Sequence, residues 1–326
     1  MTSPTPSWRK IQRGNFIKIE PLLEFLELDQ ECRRKIWITP RFPLNLPRRL
    51  AEKIKKNTLD DPILRQFLPL LDETIQTPGF LPDPVQDIKF QKSQKILHKY
   101  KSRALILTTN GCAMNCRFCF RQNFPYETKR VGFEEELSYL SKNPTVTEVI
   151  LSGGDPLSLS DKILLSFFQS LEQIPHIQRI RFHSRFPIGI PERIDSSFLK
   201  VLESSTKQLY FIIHCNHPSE LDADVLASLK KISLLGVPIL NQSVLLKGVN
   251  DNGEVLLKLS NILLNHGIMF YYLHELDPVT GTAHFALPSM KGLECVRYLQ
   301  EHISGFGVPH LVREVPGCPS KTFISV

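Results

Sequence analysis

From residue 103 onward, short apolar strand-like runs recur between amphipathic helix-like stretches, and that alternation leaves few folds open. The runs span residues 104–108, 146–151, 179–183, 209–214, 238–246 and 268–273. Between them lie helix-like stretches at 161–171, 191–202, 220–235 and 254–266. Strands alternating with helices predict parallel βαβ units. Six such units suit a partial, open (β/α)6 barrel better than a closed eightfold one. In barrels of this kind chemistry gathers at the C-terminal ends of the strands. The first 95 residues have another texture. They are rich in proline and leucine, helix-like at 21–28 and 47–56, and Pro78, Pro82 and Pro84 then mark a break. The expectation is a mainly helical N-terminal extension over 1–95 and an α/β barrel over 96–326.

Composition narrows the setting. Apolar residues make up 42% of the 326, enough for a sizeable globular core. The formal charge of +7 is spread along the chain and argues only weakly for an acidic partner. The densest basic stretch, Arg48, Arg49, Lys53, Lys55 and Lys56, has helical spacing and reads as a solvated face, not a nucleic-acid site. Arg9, Lys10, Arg13 and Lys18 interrupt the start before any apolar run, so no signal peptide is expected. No apolar stretch has the length of a membrane span. Seven cysteines, three of them in one short loop, do not resemble a secreted disulfide framework. The expected compartment is the cytoplasm, with no membrane and no nucleic acid among the partners.

The clustered cysteines are Cys112, Cys116 and Cys119, in G-C-A-M-N-C-R-F-C-F just past the first apolar run. Thiolates at this density are soft ligands, suited to iron–sulfur clusters or zinc. Zinc needs a fourth ligand, which His98 or His183 could supply. A [4Fe–4S] cluster on three cysteines instead leaves one iron open to another molecule. Two further segments stand out. L-S-G-G-D-P ends the second run, where Gly153 and Gly154 would let backbone amides approach a ligand and Asp155 would accept from an ammonium group. Near the C-terminus, P-G-C-P-S-K-T bends the chain around Lys321. An amine held in this way can be presented to a cofactor carbonyl, as in lysine Schiff bases of pyridoxal phosphate (PLP). The remaining cysteines, Cys32, Cys215, Cys295 and Cys318, read as small buried hydrophobes.

The C-x3-C-x-aromatic-C spacing, with Phe118 before the last cysteine, resembles the radical S-adenosylmethionine (SAM) enzymes. H-K-Y-K-S-R-A-L-I-L, H-S-R-F-P, H-C-N-H-P, N-Q-S-V-L-L-K-G-V-N-D, H-F and G-x-x-S-K-T then fall in the order of the lysine 2,3-aminomutases. Y-Y-L-H-E-L-D and R-E-V-P-G-C-P-S-K-T are especially similar to the branch that makes (R)-β-lysine for elongation factor P. The resemblance covers at least residues 95–325, and D-D-P-I-L-R-Q and P-G-F extend it upstream. It implies a partial (β/α)6 radical SAM barrel that binds a [4Fe–4S] cluster, SAM and PLP. It also implies an isomerase of L-lysine, a reductant such as flavodoxin or ferredoxin, and a functional link to elongation factor P and its lysyl-ligase. Alternatives are free-lysine metabolism, another amino acid such as glutamate or arginine, or a non-enzymatic binder of RNA or a translation factor.

Residue by residue, the resemblance makes Cys112, Cys116 and Cys119 the cluster ligands and Lys321 the Schiff-base lysine. Ser152, Gly153, Gly154 and Asp155 match the SAM-binding turn. Arg103 matches one of a basic pair at the PLP phosphate, with Lys99 at its partner position, and Gln242 matches a glutamine near the cofactors. Arg121 matches the arginine that holds the substrate carboxylate. Asp277 and Glu314 match two acids that grip the distal ammonium, the second being aspartate in the free-lysine enzymes. Those enzymes carry a zinc-binding cysteine shortly after V-N-D and more cysteines in a C-terminal extension. This chain has Asn252 near the first place and stops five residues after Lys321. Neither that zinc site nor the assembly that depends on the extension is expected.

Overall fold

Ten strands form one sheet, in the order in which the chain makes them. They are β1 (Gln91–Ser93), β2 (Ile96–Tyr100), β3 (Arg103–Thr109), β4 (Glu148–Gly153), β5 (Arg179–Ser184), β6 (Gln208–His214), β7 (Ile239–Val244), β8 (Ile268–His274), β9 (His310–Arg313) and β10 (Thr322–Phe323). The computed structural model describes residues 7–126 and 132–325. All neighbours from β3 to β9 are parallel, whereas β1, β2 and β10 join antiparallel at the two edges. The six expected strands are all present. A seventh parallel strand, β9, extends the run; only four residues long, it gave no distinct apolar signal.

Helices fill the connections at the expected places, Asp161–Glu172, Ser196–Glu203, Ala223–Ser233 and Gly253–Asn265. Their starts are set by side chains: Ser160, Asp195, Asp222 and Asn252 each accept a hydrogen bond from a first-turn amide. Asn252, near the position of the zinc cysteine in longer relatives, is therefore spent on a helix cap. Helices Glu134–Ser141 and Ser289–His302 complete the outer layer.

Side chains alternate across each strand, so one face of the sheet can be apolar while the other is not. Ala104, Ile106, Val149, Leu151, Ile180, Phe182, Phe211 and Ile213 point outward into the core shared with the helices. Arg103, Glu148, Ser152, Arg181, His183 and Gln242 point inward and line a cavity of about 490 Å³. The interior is thus hollow and lined by charged and polar side chains among apolar ones, unlike barrels whose centres are filled with branched side chains. Among the described residues no strand pair joins β1 to β10. Side chains bridge the open seam instead: the Tyr100 hydroxyl donates to Glu314 at 2.8 Å, and Lys99 Nζ lies 3.6 Å from the same carboxylate.

The N-terminal residues pack into the same core as the barrel, through Leu22, Leu46, Ile63 and Phe67. The basic stretch differs from its expected form. Its helix is only Arg48–Ala51; Arg48, Lys55 and Lys56 are solvated as expected, whereas Arg49 and Lys53 face the barrel's acids. Arg49 pairs with Glu192 at 2.7 Å and Asp224 at 3.0 Å, and Lys53 with Asp222 at 2.8 Å.

Candidate active site

The cysteine loop leaves the C-terminal end of β3 and turns under the cavity. Its backbone is anchored from outside: Asn45 donates to the Cys112 carbonyl at 3.2 Å, Asn15 to that of Ala113 at 2.8 Å, and the Arg117 amide to Gln66 at 2.9 Å. Phe118 is buried against Phe285, with rings 6.2 Å apart, and this fixes the loop's far side. The three thiols consequently face one end of the cavity. Their enclosure disfavours the charged form, pushing all three above the ordinary range, Cys119 to about 11. They ionise only beside cations, which iron would supply.

Zinc fits these surroundings poorly. His98 bonds to the Tyr139 hydroxyl at 2.7 Å and does not line the cavity, whereas His183 does line it, with Nδ1 3.5 Å from Gln242 Nε2. Among the described residues, no three His, Cys, Asp or Glu side chains converge as one metal ion requires. A four-iron cluster spreads its cysteines over different irons, so three separate thiols around one end of a cavity suit it.

The S-G-G-D turn at the end of β4 meets the cysteine loop backbone to backbone. A Cβ on Gly154 would sit 2.3 Å from the Gly111 carbonyl oxygen, and Gly153 has φ +109°, so both positions need glycine. Their role differs from the expected one in a detail. The Gly154 amide donates to the Thr109 carbonyl at 2.6 Å and is used within the protein. Asp155 is likewise engaged: its carboxylate accepts from Ser184 Oγ at 2.8 Å and from the amides of Leu157, Arg185 and Phe186. Burial outweighs these bonds and raises its pKa to about 6.

At the other end, five charged side chains alternate in sign. Arg121 Nε donates to Asp87 at 2.7 Å, and Asp87 also holds Lys99 at 2.7 Å. Lys99 approaches Glu314 at 3.6 Å, and Glu314 holds Lys321 Nζ at 3.0 Å. Burial works against the charge on Glu314, yet Lys321, Lys99 and the Tyr100 hydroxyl keep its carboxyl below the usual range. Asp277 stands apart. Among the described residues no donor lies within bonding distance of its carboxylate, and enclosure raises its pKa to about 7 against the pull of Lys321. Arg103 also has no polar partner among the described residues; its guanidinium carbon rests 4.1 Å above the Tyr100 ring.

The residues that the resemblance assigned to the site all line this one cavity: Cys112, Cys116, Cys119, Ser152, Gly153, Gly154, Asp155, Arg103, Gln242, Arg121, Asp277, Glu314 and Lys321. Others were missed. Asp87, which joins Arg121 to Lys99, lies in a proline-rich stretch with no periodic signal. His183 and His214 present buried Nε2 atoms without protein partners, and burial keeps both rings neutral. His183 was named in the sequence only as a possible zinc ligand, and both histidines open motifs that carried the resemblance, H-S-R-F-P and H-C-N-H-P. Of the other cysteines, Cys215 and Cys295 are buried, whereas Cys32 and Cys318 are partly exposed.

Three thiols beside a glycine turn at the mouth of a parallel half-barrel define a radical SAM domain, and a family model described as Radical SAM superfamily matches residues 106–259. L-lysine 2,3-aminomutase from Escherichia coli (strain K12) is 42% identical over 93% of this chain and 90% of its own. The protein of that name from Haemophilus influenzae is 38% identical over 97% and 95%, and that from Clostridium subterminale 32% identical over 97% and 77%. Among solved structures, a radical SAM methyltransferase from Sphaerobacter thermophilus is 15% identical, covers 67% of this chain and 68% of its own, and has a TM-score of 0.46. The chain belongs to the lysine 2,3-aminomutase family of radical SAM enzymes. It is accordingly an isomerase, and the family's cofactors are a [4Fe–4S] cluster, SAM and PLP.

Proposed function

We propose that the protein is a PLP-dependent radical SAM aminomutase that moves the α-amino group of L-lysine to the β-carbon. Its product would be (R)-β-lysine, destined for a lysine of elongation factor P. The observation that carries this reading is the convergence of cluster thiols, a glycine turn, an uncommitted arginine and a lysine–carboxylate pair on one cavity. When bound, the cofactors supply a carbon radical that removes and returns a hydrogen, and an electron sink for the migrating nitrogen.

The protein's own share follows from its side chains. Cys112, Cys116 and Cys119 hold the cluster, and the turn from Ser152 to Asp155 with Gln242 borders the space for SAM. Lys321 offers the amine for PLP, and the unpaired guanidinium of Arg103 suits its phosphate. Among the described residues Arg121 has only its Nε committed, which leaves a fork of two nitrogens for a substrate carboxylate. Glu314 already binds one lysine ammonium, that of Lys321. Asp277, enclosed and without a donor, gains one when a second ammonium arrives. Anion and cation are thus gripped at opposite ends, which disfavours glutamate. Enclosure keeps water from the reacting carbon.

The elongation factor P assignment is supported by the likeness of 271–277 and 313–322 to that branch and by Glu314 where the free-lysine enzymes carry aspartate. Lysyl-ligase as the next enzyme, flavodoxin or ferredoxin as electron donor, and a cytoplasmic setting belong to the same reading. Among the described residues no helix is long and apolar enough to cross a membrane. The test is anaerobic incubation with SAM, PLP, dithionite and L-lysine, followed by chiral analysis. (R)-β-lysine is expected, and cells lacking the gene should lose the β-lysyl mass on elongation factor P. An unaltered factor, together with (S)-β-lysine or turnover of another amino acid in preference, would overturn the reading.

A further inference from the structure

Among the described residues, Arg185 is the one cation hydrogen-bonded to a thiol of the cysteine loop. Its Nη1 donates to Cys116 Sγ at 2.8 Å. The side chain is only 7% exposed, and nothing about it is free to swing. Nη2 donates to Glu220 at 2.7 Å and to Gln66 Oε1 at 2.6 Å. Its backbone amide is held by Asp155 at 2.8 Å. The guanidinium also lies against two rings, with its carbon 5.0 Å from the centre of Phe67 and 5.5 Å from that of Phe118. Glu220 is itself fixed by the amides of Asn216 and His217, at 3.0 and 2.9 Å. One donor remains uncommitted: Arg185 Nε is buried and has no partner among the described residues.

We propose that Arg185 is an electrostatic tuning group for the iron–sulfur cluster, raising the potential at which the cluster accepts an electron. The proposal rests on the assignment of Cys116 as a cluster ligand. A reduced cluster carries one more negative charge than an oxidised one. A cation and a hydrogen bond at a ligand sulfur therefore stabilise the reduced state more, and hydrogen bonds to sulfur are among the main controls of cluster potential. The low polarity of the surroundings strengthens the effect. Glu220 opposes it from the far side of the guanidinium, so the pair sets a balance of two opposite terms. Gln66 brings the N-terminal segment into that balance, which gives the D-D-P-I-L-R-Q motif a task at the cluster.

The experiment is an EPR-monitored redox titration of the anaerobically reconstituted holoenzyme, with iron content and circular dichroism as controls. Arg185→Met combined with Glu220→Gln removes the cation without leaving a buried carboxylate unpaired. Its cluster should shift tenfold toward the oxidised form at fixed ambient potential, a fall of about 59 mV for one electron. Glu220→Gln alone should shift it the other way. Opposite signs at matched iron content are a result that a merely structural role does not produce. Potentials within twofold of wild type in both variants would overturn the proposal. If the double variant does not hold iron, Arg185→Lys decides, because lysine keeps the charge and the glutamate but loses the forked reach to sulfur. A lower potential there supports the assignment and an unchanged one overturns it. A wild type that binds no iron would instead sink the cluster assignment, and that is seen before any variant is made.

Discussion

The two ends of the cavity are built to opposite specifications. At the cysteine end, the carbonyls of Cys112 and Ala113 and the amides of Asn115 and Arg117 are all bonded to residues from the N-terminal segment. Arg117 adds a doubly hydrogen-bonded pair with Glu73, with both side chains nearly inaccessible. At the lysine end, Lys321 precedes a two-residue strand that pairs only with β9 at the sheet's edge. Among the described residues its Nζ has one polar contact, Glu314, and Phe323 two residues on is 54% exposed. The difference suits the roles proposed for the two ends. Ligands for a cluster have to be in position before metal arrives. An amine that exchanges partners during a catalytic cycle needs a hold that can be released, and edge segments open at low cost.

That contrast can be broken most severely at the cysteines. Alanine at Cys112, Cys116 or Cys119 should abolish SAM cleavage, and iron should fall from about four per chain, the number set by the cluster type. A triple-alanine protein that still binds iron stoichiometrically would erase the distinction between the ends. Lys321→Ala comes next. Turnover should drop by about 10³ or more, the scale of losing a covalent catalyst, while iron content is retained. Borohydride trapping should place the pyridoxyl mass on the Lys321 peptide of the wild type; a label on another lysine would refute the assignment. Arg117→Met probes rigidity and not chemistry. It strands Glu73 without its partner and should cost about 3–5 kcal/mol in urea unfolding, whereas Thr322→Ala should stay within about 0.5 kcal/mol.

The cysteine end was also the more legible in sequence. Cysteine spacing, the glycine turn and the apolar strands are local signals, and each survives folding because its chemistry lies within a few residues. The six long strands could be read for the same reason. The charge chain could be read only in part. Arg121, Glu314 and Lys321 stood out through motif likeness, but Asp87 joins Arg121 to Lys99 across 34 residues of sequence and has no periodicity to announce it. Arg185 was visible in H-S-R-F-P, yet its contact with Cys116 spans 69 residues. Within the basic stretch at 48–56 the solvated reading failed only for Arg49 and Lys53, because acidic partners such as Glu192 and Asp222 are brought to them by the fold.

The smallest effect offers the finest separation of Asp277 from Glu314. Enclosure raises the Asp277 pKa to about 7, whereas Lys321 and Lys99 hold Glu314 below the usual range in spite of its burial. The folded protein therefore binds a proton at Asp277 more tightly than the unfolded chain does. Ionising Asp277 as pH climbs toward and past 7 costs stability, and an arriving ammonium restores it. Lysine should consequently bind better as pH rises through about 7, with KM falling up to tenfold per unit below that point and levelling above it. Asp277→Asn should raise KM by about 10- to 100-fold, the scale of one charge-assisted hydrogen bond, and should remove the bend. Glu314→Gln should raise KM as well but leave the bend in place, because Glu314 stays ionised throughout that range. The measurement is KM for lysine from about pH 6 to 8, where the substrate's side-chain ammonium, with a pKa of about 10.4, stays charged. A bend that persists in Asp277→Asn would assign it to some other group and remove Asp277 from the ammonium grip.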